Sequence, residues 1–321
     1  MTDATPDHRS RLSAAYLATA LVWGSSFLFI EVGLEGLAPL QVALARLVLG
    51  AAALGAYAAV RRLPLPTSPR VWGHLAVMGL LFCAVPFALF SWAQTTLSSG
   101  LASVYNATTP LWTLALVLLF LRVEKVTAWK AVGIAIGFAG VCVVFAPALA
   151  APGAAPPAAH LACLGATLCY GVGLVWLRRF LLPLGLRAEV IALGQVLCGT
   201  GWAALFVAVG SREPVSVSPR VVAALVLLGV LGTGLAYVWN TAVARGLGVT
   251  AASTVTYLTP VVGVTLGVAV LGEDVAWFEV VGGAVIVLGV AVGQGVLRPR
   301  SAGSTRPAGS GPGTASAARS G

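Results

Sequence analysis

The stretch GLASVYNATTPLWTLALVLLFL, residues 100–121, is long and apolar enough to cross a lipid bilayer as a helix. A helix needs about 20 predominantly apolar residues to span roughly 30 Å of hydrocarbon. The middle of this stretch, however, contains Tyr105, Asn106 and the helix breaker Pro110. Lipid offers no hydrogen-bond partners, so polar groups at that depth have to be satisfied by protein neighbours or by a water-filled cavity. The stretch therefore predicts a membrane helix with polar side chains and a proline near its middle.

The composition of the whole chain predicts a protein that crosses the membrane many times. Of its 321 residues, 59% are hydrophobic and only 9% are charged, and the mean hydropathy is +0.96. Soluble domains carry about 25% charged residues. Apolar runs of this length indicate helices and not barrel strands, so the predicted fold class is an all-α integral membrane protein. Ten transmembrane helices are predicted, near 12–33, 38–60, 71–92, 98–121, 126–146, 159–179, 188–210, 220–243, 249–271 and 276–297.

The basic residues predict on which side of the membrane each connecting segment lies. The net charge is +9, but the basic residues lie at the ends of the apolar runs and form no compact patch, so no nucleic-acid partner is expected. If the N-terminus is cytoplasmic, only Arg212 and Arg220 fall in external segments, and Arg46 falls inside a span. The positive-inside rule then places both termini in the cytoplasm. The excess of Arg over Lys, 17 to 2, with abundant Ala, Gly and Val, is typical of a bacterial genome of high GC content, so the protein is expected in the cytoplasmic membrane of a bacterium. The other 16 of the 19 basic residues lie in internal segments: Arg9, Arg11, Arg61, Arg62, Arg70, Arg122, Lys125, Lys130, Arg178, Arg179, Arg187, Arg245, Arg298, Arg300, Arg306 and Arg319.

Both ends of the chain are predicted to be cytoplasmic segments outside the helical bundle. Residues 1–11 precede a first span that has the basic flank and apolar core of a signal peptide; its apolar run is too long for one, so it is interpreted as a retained helix. Residues 298–321 are rich in Gly, Ser, Pro and Ala and are expected to be disordered. The five cysteines fall inside predicted spans without metal-ligand spacing, so neither a metal nor a cofactor is expected.

The chain repeats itself with an offset of 150 residues. The segment LSSGLASVYNATTPLWT (97–113) aligns with LGVTAASTVTYLTPVVG (247–263). After one residue is dropped, the match continues into the following span. The coincident pairs include Ser103/Ser253, Thr109/Thr259, Pro110/Pro260 and, after the dropped residue, Glu124/Glu273 and Gly140/Gly289.

This repeat divides the chain into two halves of five spans each. The first half is predicted at 12–146 and the second at 159–297, with an extracytoplasmic linker at 147–158 between them. Because five is an odd number, the second copy must enter the membrane from the opposite side. Inverted repeats are one of the standard architectures of secondary transporters, in which the substrate site lies near the midplane between the halves.

Three segments resemble the EamA-like transporters of the drug/metabolite transporter superfamily. The segment WGSSFLFIEVGLEGLAPLQVALARLVLGA (23–51) is similar to that family's opening pair of helices, with an arginine in the second. Residues 98–141 and 246–292 are similar to its fourth and fifth helices in each copy. The second copy has LGED after its fourth helix, as the family does, whereas the first copy has LRVEKV. The resemblance covers about residues 14–297 and implies a ten-helix metabolite carrier, without implying a substrate.

Two polar stripes are candidates for the wall of a central site. Positions three and four apart share one face of a helix, and small polar residues recur at this spacing in the fourth and ninth spans. Each proline leaves a carbonyl without its partner, and these carbonyls belong to Asn106 and Thr256. Either hydroxyls repair two kinked, tightly packed helices, or both stripes face a shared cavity, which is favoured because both copies have the stripe. The candidate residues are Ser103, Asn106, Pro110, Ser253, Thr256 and Pro260.

Arg46 is the one basic residue inside a predicted span, about 12 Å from the outer end of the second helix. A charge at that depth usually marks a pathway or an ion pair. Three interpretations remain open: a structural pair with Glu31 of the first span, an Arg46 side chain that reaches outward alone, or a role toward substrate or protons. Gln195 occupies the equivalent place in the second half. A cavity with one cationic and one neutral side would suit a solute with an anionic end.

Several aromatic side chains lie deep enough in the predicted spans to line a cavity. They are Trp23, Tyr105 and Tyr257. Trp92 and Trp239 lie near span boundaries and fit the aromatic belts that membrane proteins carry at both interfaces.

These features predict a secondary transporter that moves a small polar or amphipathic metabolite, amino-acid-like or drug-like, by alternating access and in the direction of export. The expected partners are this solute and the lipid bilayer, and a homodimer is left open. No enzymatic activity is predicted. A multi-spanning membrane enzyme is the first alternative, although the His, Asp and Glu residues are scarce and scattered. A membrane scaffold or sensor is the second, although its polar domains would have to lie elsewhere.

Overall fold

The computed structural model describes residues 6–121, 127–150, 155–211 and 213–293, and these residues are almost entirely helical. Nine of the helices in these ranges are long and apolar enough to cross a membrane, and a tenth, α10, is a shorter apolar helix. The helices are α1 (Pro6–Leu34), α2 (Pro39–Val60), α3 (Pro69–Ala93), α4 (Ser99–Phe120), α5 (Ala128–Ala150), α6 (Pro157–Leu184), α7 (Ala188–Gly210), α8 (Pro219–Leu247), α9 (Val249–Leu271) and α10 (Trp277–Gly293).

The predicted spans and the helices agree to within a few residues at most ends. The largest differences are at the start of α1, which begins at Pro6 and so six residues before its predicted start, and at the end of α6, which extends five residues past its predicted end to Leu184; α5 also extends by four residues, to Ala150. Helix α5 continues through Pro147, because a proline removes only the hydrogen bond to the carbonyl four residues earlier. The first residues of the predicted linker 147–158 are therefore helical. Residues 6–11 of the predicted N-terminal segment 1–11 belong to α1, whereas residues 1–5, Glu124 and the predicted tail 298–321 lie outside the described residues.

Helices α4 and α9 are interrupted, which the prediction of continuous spans did not anticipate. Helix α4 consists of Ser99–Asn106 and Thr109–Leu116, separated by a turn. Pro110 lies in the first turn of the second part, where a proline costs no hydrogen bond because the first N–H groups of a helix have no internal partner. Helix α9 breaks in the same way before Pro260, after a short stretch of 3₁₀-helix.

The two interruptions share their hydrogen bonds as well as their position. The hydroxyl of Thr109 donates to the carbonyl of Asn106 at 2.9 Å, and the equivalent Thr259 hydroxyl donates to the carbonyl of Thr256 at 2.7 Å. Ser103 and Ser253 likewise donate to the carbonyl three residues earlier. The carbonyls of Asn106 and Thr256, at the interruptions, are thus each satisfied by a threonine hydroxyl.

Wide helical turns with π-type hydrogen bonding also recur in both halves. They lie in the middle of α3 (Leu80–Ala84) and α8 (Leu227–Leu235), and at the ends of α4 (Val117–Leu121) and α9 (Gly267–Leu271). Such turns leave carbonyl groups free to accept hydrogen bonds from side chains. A further turn of this kind in α6 (Leu177–Leu181) has no counterpart in α1, so the two halves match in local structure at α3 and α8 and at α4 and α9, in agreement with the sequence repeat.

Candidate substrate site

A cavity lies at the centre of the bundle, next to the interruptions of α4 and α9. Its volume is about 50 Å³, and a single water molecule needs only about 10–15 Å³ of such space. None of the described side chains around it is acidic. The lining residues are Trp23, Ser26, Phe27 and Ile30 of α1; Arg46 of α2; Phe82, Phe87 and Phe90 of α3; Asn106 and Thr109 of α4; Tyr170 and Leu174 of α6; Tyr237 and Asn240 of α8; and Ala252, Ser253 and Thr256 of α9.

The interruptions of α4 and α9 place polar side chains at this cavity from both halves. Asn106 ends the first part of α4, and its Nδ2 donates to Thr259 Oγ1 of α9 at 3.2 Å. This hydrogen bond links the two interrupted helices directly. Both sequence interpretations of the stripes describe part of the arrangement: hydroxyl groups repair the freed carbonyls, and Asn106, Ser253 and Thr256 line the cavity.

Arg46 brings the only basic side chain among the described residues of the lining. The side chain is 4% exposed, and its Nε donates to Thr233 Oγ1 of α8 at 3.1 Å. Its guanidinium lies over the ring of Phe87, with Cζ 3.5 Å from the ring centroid. The arginine is therefore held in one orientation by a hydrogen bond on one side and by an aromatic face on another.

Two aromatic residues of the lining are fixed by the wide turns of α3 and α8. Trp23 Nε1 donates to the carbonyl of Gly232 at 3.0 Å, and the Tyr237 hydroxyl donates to the carbonyl of Phe82 at 2.5 Å. The rings of Trp23 and Tyr237 also meet edge to face, with centroids 5.9 Å apart. The equivalent turns of the two halves thus supply carbonyls that orient these two rings. Together with the other aromatic residues of the lining they form the aromatic wall of the cavity: Trp23, Phe27, Phe82, Phe87, Phe90, Tyr170 and Tyr237.

The structure brings five of the twelve predicted site residues to the cavity and places the other seven elsewhere. The five in the lining are Trp23, Arg46, Asn106, Ser253 and Thr256. The seven outside it are Glu31, Ser103, Tyr105, Pro110, Gln195, Tyr257 and Pro260.

Contacts with neighbouring helices explain several of these positions outside the lining. Tyr105 is fully buried and its hydroxyl hydrogen-bonds His160 Nδ1 of α6 at 2.7 Å. Ser103 packs on Gly263 of α9, where a Cβ atom on the glycine would lie 2.5 Å from the Ser103 side chain. Gln195 is 1% exposed but does not reach the cavity, so the equivalent of Arg46 contributes no polar group to the lining.

Glu31 and Arg46 do not form the ion pair of the first interpretation. Glu31 Oε2 accepts a hydrogen bond from Gln94 Nε2 at 3.2 Å, whereas Arg46 bonds Thr233. The second interpretation, an Arg46 side chain that reaches outward alone, also fails because the guanidinium is buried at the cavity.

Sequence reasoning missed the contribution of α3 and much of the aromatic wall. Phe82, Phe87 and Phe90 of α3 and Tyr170 of α6 line the cavity. An apolar ring inside an apolar span has the same pattern whether it faces lipid, the core or a cavity. The repeat is the signal that could have indicated α3, because α3 has the same place in the first half as α8 has in the second.

Glu273, at the end of α9, caps the start of α4. Its carboxylate accepts hydrogen bonds from the backbone N–H groups of Ser99 at 2.7 Å and Gly100 at 3.0 Å. Ser98 Oγ accepts from the N–H of Leu101, so three of the first N–H groups of α4 are satisfied. A carboxylate is favoured there by the partial positive charge of a helix N-terminus.

A bundle of membrane-length helices around a polar and aromatic cavity, built from two halves of matching local structure, is the architecture of a membrane transporter. The chain belongs to the EamA-like transporter family of the drug/metabolite transporter superfamily: the family model matches it twice, at residues 12–146 and 157–292. These two matches begin and end close to the two halves of the sequence repeat.

Proteins with related sequences are named as transporters. The chain is 30% identical over 293 residues to "Uncharacterized inner membrane transporter YedA" of Escherichia coli strain K12, covering 87% of this chain and 89% of that protein. It is 28% identical over 286 residues to "Probable terminal-alkyne amino-acid exporter" of Streptantibioticus cattleyicolor, covering 86% and 91%. A solved crystal structure with 23% identity superposes with a TM-score of 0.67, over 90% of this chain and 98% of the other, and so shares the fold.

Proposed function

We propose that this protein is a secondary transporter that moves a small polar or amphipathic metabolite across the cytoplasmic membrane by alternating access. The observation that carries the proposal is the central cavity, to which the interruptions of both α4 and α9 contribute polar groups. A site shared in this way between two halves changes its accessibility when the halves rock against each other. Trp23, Arg46, Asn106, Ser253 and Thr256 are the proposed contacts for the solute.

The proposed arrangement in the membrane is ten spans in two inverted halves, with both termini in the cytoplasm. The strong bias of basic residues toward alternate connecting segments supports this orientation. The matching interruptions and wide turns of the two halves support the repeat. With five spans in each half, the two copies would enter the membrane from opposite sides.

The proposed direction is export, and the proposed solute is amino-acid-like or drug-like. The name of the relative from Streptantibioticus cattleyicolor, an amino-acid exporter, supports both. The lining combines one cation, amides and hydroxyls with aromatic rings, which suits a solute with a polar end and an apolar body.

The test is counterflow in proteoliposomes, with a panel of labelled amino acids, N-acylated amino acids, aromatic acids, amines, nucleosides and sugars. The wild-type protein should exchange at least one member of the panel. Replacing Asn106 or Thr256 by alanine should lower that rate about tenfold, because one buried hydrogen-bonding group is worth about 1–2 kcal/mol.

A matched control lies on the same helix as Thr256. The exposed Thr265 bonds the carbonyl of Val261 and does not line the cavity, so Thr265→Ala should transport at the wild-type rate. Equal losses in Thr256→Ala and Thr265→Ala would reject the cavity as the substrate site. Exchange of no member of the panel by the folded wild-type protein would reject the carrier function.

A further inference from the structure

We propose that the central cavity selects a small organic monoanion, such as a carboxylate with an apolar body, and that Arg46 binds its anionic group. This inference rests on the proposed function, because it names the substrate class of the same site. It goes further in stating a charge, and it assigns different parts of the substrate to different walls of the cavity.

The first step is the unbalanced charge of Arg46. Among the described residues, the ion pairs within 4 Å are Arg187–Glu189 and Arg220–Glu35, and both include exposed side chains. Arg46 is 4% exposed, and within the described ranges it has no such partner and no acidic residue lines the cavity. A buried charge without a counter-charge is unfavourable, so binding of an anion from solution would neutralise Arg46 and lower this cost.

The second step is the orientation of the guanidinium. Thr233 lies in the wide turn of α8, and its hydroxyl donates to the carbonyl of Leu228 at 3.3 Å, which leaves its oxygen to accept from Arg46 Nε. Phe87 covers one face of the group. The terminal nitrogens form the planar fork that matches a carboxylate, and they are not occupied by an acidic side chain.

The third step is the aromatic wall, which accepts the apolar body. Trp23 and Tyr237 direct their polar atoms to backbone carbonyls, so their rings and not their hydrogen-bonding groups are offered to the cavity. Aromatic walls can also bind cations through ring faces. Here the face of Phe87 is already occupied by the Arg46 guanidinium, and the positive charge of Arg46 disfavours a second cation.

The fourth step limits the charge of the ligand to one. Arg46 is the single cationic side chain among the described lining residues. A dianion would bring a second negative charge without a partner into the same small space, which is costly. A phosphate ester or dicarboxylate is therefore expected to bind much more weakly than a monocarboxylate.

A monoanion also accounts for export without a coupling ion. A membrane potential of 100 mV, negative inside, favours the outward movement of one negative charge by about 50-fold in concentration ratio. A facilitated carrier for such a solute would therefore work as an exporter under ordinary conditions of the bacterial cytoplasmic membrane.

The test measures binding to the full chain in detergent by calorimetry, with two sets of nearly isosteric probes. One set is phenylacetate, phenylacetamide and phenethylamine, and the smaller set is isovalerate, isovaleramide and isoamylamine. At least one acid should bind tenfold or more tightly than its amide and amine. In Arg46→Gln this preference should fall to about onefold, whereas Arg220→Gln, which removes a surface arginine, should keep it.

Wild-type selectivity decides the proposal even if Arg46→Gln does not fold. Equal binding of acid and amide in both sets, no binding of either acid, or an unchanged preference in folded Arg46→Gln would overturn it. Arg46→Lys, which keeps the charge but loses the planar fork, should retain a reduced preference. The counterflow panel separates the two proposals: transport of cations and neutral solutes alone rejects the monoanion but keeps the carrier, and no transport rejects the carrier.

Discussion

Two pairs of equivalent helices connect the halves of this protein, and they differ in almost every physical respect. Helices α4 and α9 are interrupted, bear polar side chains, and are linked by the hydrogen bond from Asn106 to Thr259. Helices α5 and α10 carry glycines at their contact, and their backbones approach closely. A Cβ atom on Gly289 would lie 2.2 Å from the backbone nitrogen of Gly137, and one on Gly133 would lie 2.2 Å from the nitrogen of Gly293.

The difference indicates that the two contacts have separate roles. In a membrane, close packing of small residues holds helices together without any hydrophobic driving force. The α5–α10 contact is therefore expected to fix the halves to each other. The α4–α9 contact contains the Asn106–Thr259 hydrogen bond next to the cavity and is expected to take part in binding the solute. The predictions below separate these two roles.

The largest effect is expected at the glycine contact. Gly289→Ala should lower the free energy of unfolding by about 2–3 kcal/mol or more, because the added methyl group meets backbone atoms that cannot move independently. Thermal unfolding of the purified protein in detergent measures the effect. The control is Gly201→Ala on α7, which has open space around it and should gain about 0.5–1 kcal/mol from helix propensity. Equal unfolding midpoints for Gly289→Ala and Gly201→Ala would show that the α5–α10 contact does not fix the halves to each other.

A smaller effect is expected where Glu273 joins the end of α9 to the start of α4. Glu273→Ala should cost about 1–2 kcal/mol, because two helix N–H groups lose their acceptor. Glu273→Gln should cost less, since one side-chain oxygen remains. Asp274→Ala changes the exposed neighbouring residue and should leave the unfolding midpoint unchanged. A midpoint that falls as much for Asp274→Ala would mean that the charge of the loop, and not the cap, is responsible.

The smallest effect is expected from the threonines that repair the interruptions. Thr109→Val and Thr259→Val should each lower the free energy of unfolding by about 1 kcal/mol, because a buried carbonyl loses its donor. Thr259→Val should cost more than Thr109→Val, since Thr259 Oγ1 also accepts from Asn106. Serine at either position keeps the hydroxyl and should restore most of the stability. The reverse order of the two valine variants would show that the α4–α9 hydrogen bond contributes little.

Much of the architecture could be predicted from the sequence because membranes constrain chains so strongly. Apolar runs of span length located the helices to within a few residues, and the 150-residue repeat located the two halves that the family model also matches. The repeat predicted equivalent features as well: Pro110 and Pro260 do mark two corresponding interruptions.

The candidate site could be predicted only in part. Asn106 and Thr256 are polar residues four positions before the prolines of two apolar spans, and Arg46 is a charge inside a span, so each was visible in the sequence as a departure from an ordinary membrane helix. Tyr105 and Ser103 looked the same in sequence, yet they face His160 and Gly263 and not the cavity. On a helix that is polar on several faces, the packing of the neighbouring helices determines which side chains face the cavity. The periodicity of the sequence does not identify those neighbours.

The class of fold, the positions of the helices and the repeat follow from the sequence, since the length and polarity of a segment are local properties that decide whether it enters the lipid bilayer. Which residues contact one another depends on the packing of the helices. In the folded protein Arg46 contacts Thr233 and Phe87 and not Glu31, and Glu273 lies at the N-terminus of α4, where it accepts hydrogen bonds. Such pairings depend on how helices far apart in the chain pack against one another. The same residues in another packing would make other partners.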